Sequence, residues 1–162
     1  MLNELFILSK IKEGDIKAFE EVFHRYYSPL CWYATGITGE MEAAEEIVEE
    51  LFYVFWKDRE HLQIFQSVKR TGDALEITFD TCDEQLVARN KYGYLSGFAI
   101  AGTDGKYQWA QAKIENNKVI VWNKKIQQPV SVRYAWGDNP DDANLYNAAG
   151  LPASPFEGHI NQ

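Results

Sequence analysis

Leu75-Glu76-Ile77-Thr78-Phe79 decides how the chain is read, because its apolar side chains fall at every second position. A period of two puts Leu75, Ile77 and Phe79 on one face of an extended strand, with Glu76 and Thr78 on the other. Toward the C-terminus the rhythm returns. Phe98 to Ala101 and Tyr107 to Ile114 read as two strands joined by a tight turn at Thr103-Asp104-Gly105-Lys106. Glu115-Asn116-Asn117 marks a second turn before a strand from Lys118 to Trp122. Val130, Val132, Tyr134 and Trp136 then alternate with Ser131, Arg133 and Ala135. Together these predict an antiparallel meander with one apolar face, and the Asn-, Asp-, Pro- and Gly-rich tail from Gly137 predicts a loop.

Toward the N-terminus the rhythm becomes three-and-four, the spacing of a helix face. Leu2 to Glu13 predicts a short amphipathic helix stopped at Gly14, and Asp15 is placed to N-cap a second. In that second helix Phe19, Val22, Phe23, Tyr26, Tyr27 and Leu30 share a face. Pro29 predicts a kink rather than an end, and Gly36 and Gly39 bracket a turn. A third helix, Glu42 to about Lys57, sets Ala44, Ile47, Val48, Leu51, Phe52 and Phe55 on one stripe. Its other face is acidic, with Glu45, Glu46, Glu49 and Glu50 in the first two turns, where the helix dipole favours negative charge.

Helices followed by strands predict an α+β chain with segregated parts: a three-helix N-terminal bundle, then an antiparallel β-sandwich-like C-terminal domain. The chain's 162 residues allow one ordinary domain or two small ones, and 46% hydrophobic residues are enough for a real core. With 16 Lys and Arg against 24 Asp and Glu the net charge is −8, a poor balance for binding phosphate backbones or anionic membranes. In the helical half Lys10, Lys12, Lys17 and Arg25 are the only clustered bases, and they read as a solvated helix face. No apolar run approaches the roughly 20 residues that span a bilayer. Met1 to Lys12 lacks the basic start and cleavage site of a secretory signal, so a cytoplasmic location is expected. Cys31 and Cys82 are then expected as reduced thiols.

The helical residues carry a resemblance. Gly14-Asp15-Ile16-Lys17-Ala18-Phe19-Glu20-Glu21, Tyr26-Tyr27-Ser28-Pro29-Leu30 and Ala44-Glu45-Glu46-Ile47-Val48-Glu49-Glu50-Leu51-Phe52, ending at Phe55-Trp56, resemble region 2 of bacterial sigma factors of the extracytoplasmic-function type common in Bacteroidetes. The likeness covers about residues 1–68. It implies that the third helix docks on the clamp helices of the RNA polymerase beta-prime subunit, with Glu46, Glu49 and Glu50 as contact residues. Glu49 stands where that family usually has Gln.

The second half resembles the C-terminal region of sialate O-acetylesterases, over about residues 69–162. The matching residues are Gly97-Phe98-Ala99-Ile100-Ala101-Gly102, Asp104-Gly105-Lys106, Trp109-Ala110, Val132-Arg133-Tyr134-Ala135-Trp136, Asn144-Leu145-Tyr146-Asn147 and the run Gly150-Leu151-Pro152-Ala153-Ser154-Pro155-Phe156. Both likenesses are cut near Ser67-Val68-Lys69. The sigma-like part ends before the promoter-reading helix, so no promoter DNA binding is expected. The esterase-like part begins after the catalytic domain should have ended. The two resemblances therefore imply a chimeric or truncated two-module chain, whose exposed apolar faces would pack together or drive self-association.

Little chemistry is expected of either module. In the resembled esterases the nucleophile lies in a Gly-Asp-Ser block and the base in an Asp-x-x-His pair, since a serine must be activated by a histidine that a carboxylate orients. Gly14-Asp15, Gly72-Asp73 and Gly137-Asp138 are followed by Ile16, Ala74 and Asn139, never by serine. Asp58-x-x-His61 falls in the sigma-like half and reads as coincidence, so no catalytic residue, metal or cofactor is expected. His24, His61 and His159 read as isolated. Asp138, Asn139, Asp141, Asp142 and Asn144 gather oxygen donors without the Gly and terminal Glu of a calcium loop, and so read as Asx turns. Among Tyr107, Trp109, Trp122, Tyr134 and Trp136, most read as core. Trp109 and Trp122 are the candidates for exposure and for carbohydrate contact.

Overall fold

The computed structural model describes residues 2–81, 84–137 and 142–160. Its contacts divide the chain into two units, Leu2–Glu60 and His61–Gln162. The expected boundary after Val68 therefore falls inside the second unit, within its first strand.

The helical unit contains α1 (Leu2–Lys12), α2 (Ile16–Thr38) and α3 (Met41–Lys57). Asp15 caps α2 as its sequence position predicts. Its carboxylate accepts from the Lys17 N–H at 3.0 Å and the Ala18 N–H at 3.3 Å, two donors that the first helical turn leaves unpaired. The helix runs through Pro29 and through Gly36 and stops only at Gly39, whose N–H bonds Thr35 O at 2.8 Å. Gly36 thus lies within the helix and not at a turn.

The helical core is narrower than the apolar stripe of α3. Ala44, Val48 and Phe52, each four residues apart, are buried, and Phe52 meets Phe23 at 4.9 Å and Phe19 at 6.1 Å between ring centroids. Ile47 and Leu51, expected on the same buried stripe, are 54% and 53% exposed. The two lie one residue to the side of that row, on a face that α2 does not cover.

The β unit begins earlier than the alternating pattern implies. β1 (Ile64–Thr71) pairs antiparallel with β2 (Ala74–Asp80) across the Gly72-Asp73 turn. An irregularity between Phe65 and Ser67 breaks the alternation of β1, which hides the strand in the sequence. β3 (Leu86–Ala88), β4 (Phe98–Ala101), β5 (Gln108–Trp109), β6 (Gln111–Glu115), β7 (Lys118–Trp122) and β8 (Ser131–Tyr134) follow. The tail, expected to be loop, adds β9 (Leu145–Asn147) and β10 (Phe156–His159).

These strands form two four-stranded sheets, in the orders β1-β2-β7-β6 and β10-β8-β4-β5, with β3-β9 as a separate ladder. Every pairing is antiparallel, but β2-β7, β4-β8, β8-β10 and β3-β9 join strands that are not consecutive in sequence, so the arrangement is not a simple meander. One core joins both sheets: Leu75, Ile77, Phe79, Val119 and Val121 from the first, and Phe98, Ile100, Val132, Tyr134 and Phe156 from the second. Leu75, Ile77 and Phe79 are buried while Glu76 is not, as their spacing predicts. The run from Tyr107 to Ile114, expected as one strand, serves both sheets. Trp109 pairs with Ala99 of the second sheet, and Gln111 pairs with Trp122 of the first. Asn116 and Asn117, with φ of 51° and 58°, make the tight turn between β6 and β7.

Three hydrogen bonds hold the tail in place. The Leu145 N–H donates to the Tyr134 hydroxyl oxygen at 2.8 Å, and burial pushes the Tyr134 phenol up to about 12, so it stays neutral. Asn147, also buried, donates from Nδ2 to His61 O at 2.7 Å and accepts the Leu151 N–H at 2.8 Å.

Candidate functional site

The two tryptophans singled out by sequence come together. Trp109, at the edge of the second sheet, is 72% exposed, and Trp122, at the end of β7, is half-buried. Both line a groove of about 530 Å³ whose other wall includes Tyr94, Ser96 and Asp142. This volume lies within the range of small-molecule sites. One glycine sets the shape of that wall. Gly97, with φ +82°, lies so close to Ala143 that a Cβ would stand 3.1 Å from the Ala143 Cα. Asn144, placed by sequence in an oxygen-rich cluster, spends its side chain on the same wall. It accepts the Ser96 N–H and donates to Tyr94 O, each at 2.9 Å. Asp138, Asn139 and Asp141 of that cluster lie outside the described residues. Among the described residues no group of three or more His, Cys, Asp or Glu is placed to hold a metal.

A second cluster was not foreseen. Trp136 was expected to alternate inward with Val132 and Tyr134. Ala135 instead adopts φ 50°, which breaks the alternation and turns Trp136 outward, where it is 41% exposed. Its ring lies against the Arg133 guanidinium at 4.5 Å, and the Tyr107 ring lies against it at 3.9 Å. Arg133 Nε donates to Glu157 Oε2 at 3.2 Å, and the Tyr107 hydroxyl donates to Glu157 Oε1 at 3.1 Å. His159 Nε2 is 3.0 Å from the same oxygen, so His159 is not isolated. Burial works to raise the Glu157 carboxyl, but the hydrogen bonds from Tyr107 and Arg133 outweigh it and hold the group below the usual carboxylate range. The register explains the cluster, since Glu157 lies directly across from Arg133. That pairing is invisible until β10 is recognised as a strand.

The remaining histidines and the cysteines occupy ordinary positions. His61 Nδ1 pairs with the Glu84 carboxylate at 2.6 Å, while Asp58 closes α3 through its backbone N–H to Val54 O at 2.9 Å. His24 is exposed beside Phe23. Cys31 is a buried free thiol, and Cys82 lies outside the described residues.

On α3 the acidic residues Glu45, Glu46, Glu49 and Glu50 are all exposed. Glu49 is tied toward α2, where the Tyr27 hydroxyl donates to its Oε1 at 3.3 Å. Burial first, then the Cys31 thiol and the Glu49 carboxylate, push the Tyr27 phenol up to about 12, so it remains the donor at neutral pH. Glu46 and Glu50 lie beside the exposed Ile47 and Leu51.

Among solved structures, a carbohydrate acetylesterase from Xanthomonas citri matches with 31% identity and a TM-score of 0.61, over 73% of this chain and 28% of its own. The chain is similar to part of a carbohydrate acetylesterase. It spans well under a third of that enzyme's length. The N-terminal part of the bacterial S-layer protein SbsC matches with 14% identity and a TM-score of 0.42, over 96% of this chain and 36% of that one. A likeness that remote carries no argument. No protein-family model matches the chain, and no curated protein does. No described helix is long and apolar enough to cross a membrane.

Proposed function

We propose that the β unit is a sugar-contacting accessory part of a carbohydrate O-acetylesterase, of the sialate type by its sequence resemblance, and that ester hydrolysis belongs to a catalytic domain of such an enzyme. The observation that carries this reading is the exposed indole of Trp109, held at a sheet edge beside Trp122 over one groove. A pyranose ring presents an apolar C–H face and a polar rim, which suits an aromatic platform beside hydrogen-bonding groups. The partial likeness to an acetylesterase supports the carbohydrate class. Trp109→Ala is expected to abolish binding on a glycan array while leaving the fold intact, because the side chain it removes is largely exposed. A blank array with the unaltered protein would count against the reading. Release of acetate from an O-acetylated sugar, lost on His61→Ala, would move hydrolysis onto this chain.

A second reading concerns the helical unit as an RNA polymerase-binding remnant of a sigma factor, which would make the whole chain a two-module chimera. Its support is the outward face of α3, where Glu46 and Glu50 flank the exposed Ile47 and Leu51. An acidic face mixed with exposed apolar side chains fits a docking surface better than a solvated helix. Immobilised full-length protein is expected to retain core polymerase, and Glu50→Lys to release it at moderate salt. Retention unchanged by that substitution would remove this reading.

A further inference from the structure

The outer face of the β10-β8-β4-β5 sheet carries one row of register partners: Glu157, Arg133, Ala99 and Trp109. Three of these side chains are long, whereas Ala99 is a single methyl group. The row therefore has a gap between Arg133 and Trp109. The gap is a pocket of about 260 Å³, floored by Gly97 and Ala99 and walled by Tyr107, Trp109, Trp136 and Arg133. It lies next to the Trp109–Trp122 groove and shares the Trp109 indole with it.

The polar part of this pocket is already assembled. Arg133 lies between two aromatic rings, at 3.9 Å from Tyr107 and 4.5 Å from Trp136, and Glu157 binds its Nε at 3.2 Å. Glu157 is in turn fixed by the Tyr107 hydroxyl at 3.1 Å. The cation in the pocket is thus neutralised by a carboxylate that cannot swing away without losing several contacts. Arg133 lines the pocket already bound to Glu157, so a second carboxylate entering beside it would gain an attraction that the Glu157 charge behind it offsets in part. It would still lose its own hydration. The net charge of −8 adds repulsion at longer range. An uncharged ring meets no charge repulsion, and its hydroxyls lose far less hydration than a carboxylate does. Its apolar face can lie on the indoles, and its hydroxyls can bond the guanidinium and the Gln108 amide at the pocket wall.

We propose that this pocket is a sugar subsite that takes an uncharged pyranose and disfavours an acidic one. The proposal rests on the reading of Trp109 as a carbohydrate platform and adds the class of sugar. It makes the subsite a place for a neutral residue of a glycan, not for a sialic acid carboxylate.

Methyl glucoside and methyl galactoside, each paired with its uronide, test it, because each pair differs only in the oxidation of one carbon. Titration of the full chain, followed by ligand-observed NMR, is expected to show the neutral glycoside bound about tenfold more tightly than its uronide. Ala99→Leu, on the outer face and away from the core, fills the gap and is expected to weaken the neutral glycoside about tenfold. Glu157→Gln keeps the shape but removes the competing charge, and is expected to raise uronide binding until the preference narrows or reverses. Equal or tighter uronide binding by the unaltered protein would overturn the proposal. So would neutral binding that Ala99→Leu leaves unchanged. If glycan-array binding is positive and lost in Trp109→Ala, yet unaffected by Ala99→Leu, only the subsite falls. If no glycan or glycoside binds, the accessory reading falls with it.

Discussion

Phe156→Ala is expected to cost the β unit about 3–5 kcal/mol, the range for removing a fully buried ring from a packed core. Phe156 is completely buried. Its ring stacks on Phe65 at 4.5 Å, meets Phe79 edge-on at 5.5 Å and lies 5.8 Å from Tyr134. Those partners come from both sheets, so truncation opens a cavity where the sheets meet. Neighbours cannot collapse into it easily. Just beyond, Gly158 lies so close to Phe65 that a Cβ there would stand 2.6 Å from the ring's Cζ. Hydrogen exchange at the amides of Ile77, Val121 and Val132 is the measurement to make. A loss of protection no greater than that of an ordinary surface substitution, about 0.5 kcal/mol, would show that the ring is not central.

Phe52→Ala is expected to be as severe for the helical unit, and more consequential. A unit of roughly 60 residues carries about 3–9 kcal/mol of stability in all, so losing 3–5 kcal/mol leaves it at the edge of folding. Phe52 is the centre of an aromatic cluster with Phe19, Phe23 and Tyr27, and it shares its buried apolar cluster with Val48 and Cys31. Exchange of the α2 and α3 amides should rise to near that of unfolded chain. Ile47→Ala, five residues away and exposed, is the control, with a change within about 0.5 kcal/mol. A large effect at Ile47 would mean that its side is covered after all.

The contrast between Phe52 and Ile47 shows where sequence reasoning reaches and where it stops. The 3.6-residue period located α3, and the cap at Asp15 located the start of α2, because both are local properties of the chain. Periodicity places a side chain on a helix face, but the width of the buried part depends on what lies opposite, which is a tertiary fact. In the β unit, Leu75, Ile77 and Phe79 were legible from alternation alone. β1 escaped because an irregularity near Gln66 shifts its phase, and β9 and β10 escaped because three or four residues among prolines and glycines carry no period. The candidate site divides in the same way. Trp109 and Trp122 could be named from their strands, whereas the joining of Arg133, Glu157 and His159 needed the cross-strand register and the left-handed turn at Ala135.

The passage of the chain between sheets at Ala110 has a mechanical consequence. Trp109 is hydrogen-bonded into one sheet and Gln111 into the other, and the Ala110 N–H also holds Phe98 O at 2.9 Å. A single residue is too short to take up slack, so a sliding of one sheet over the other must tilt the indole that crowns this corner. The ridge is thereby geared to the sandwich beneath it, and a ligand gripping Trp109 would brace the two layers against shear.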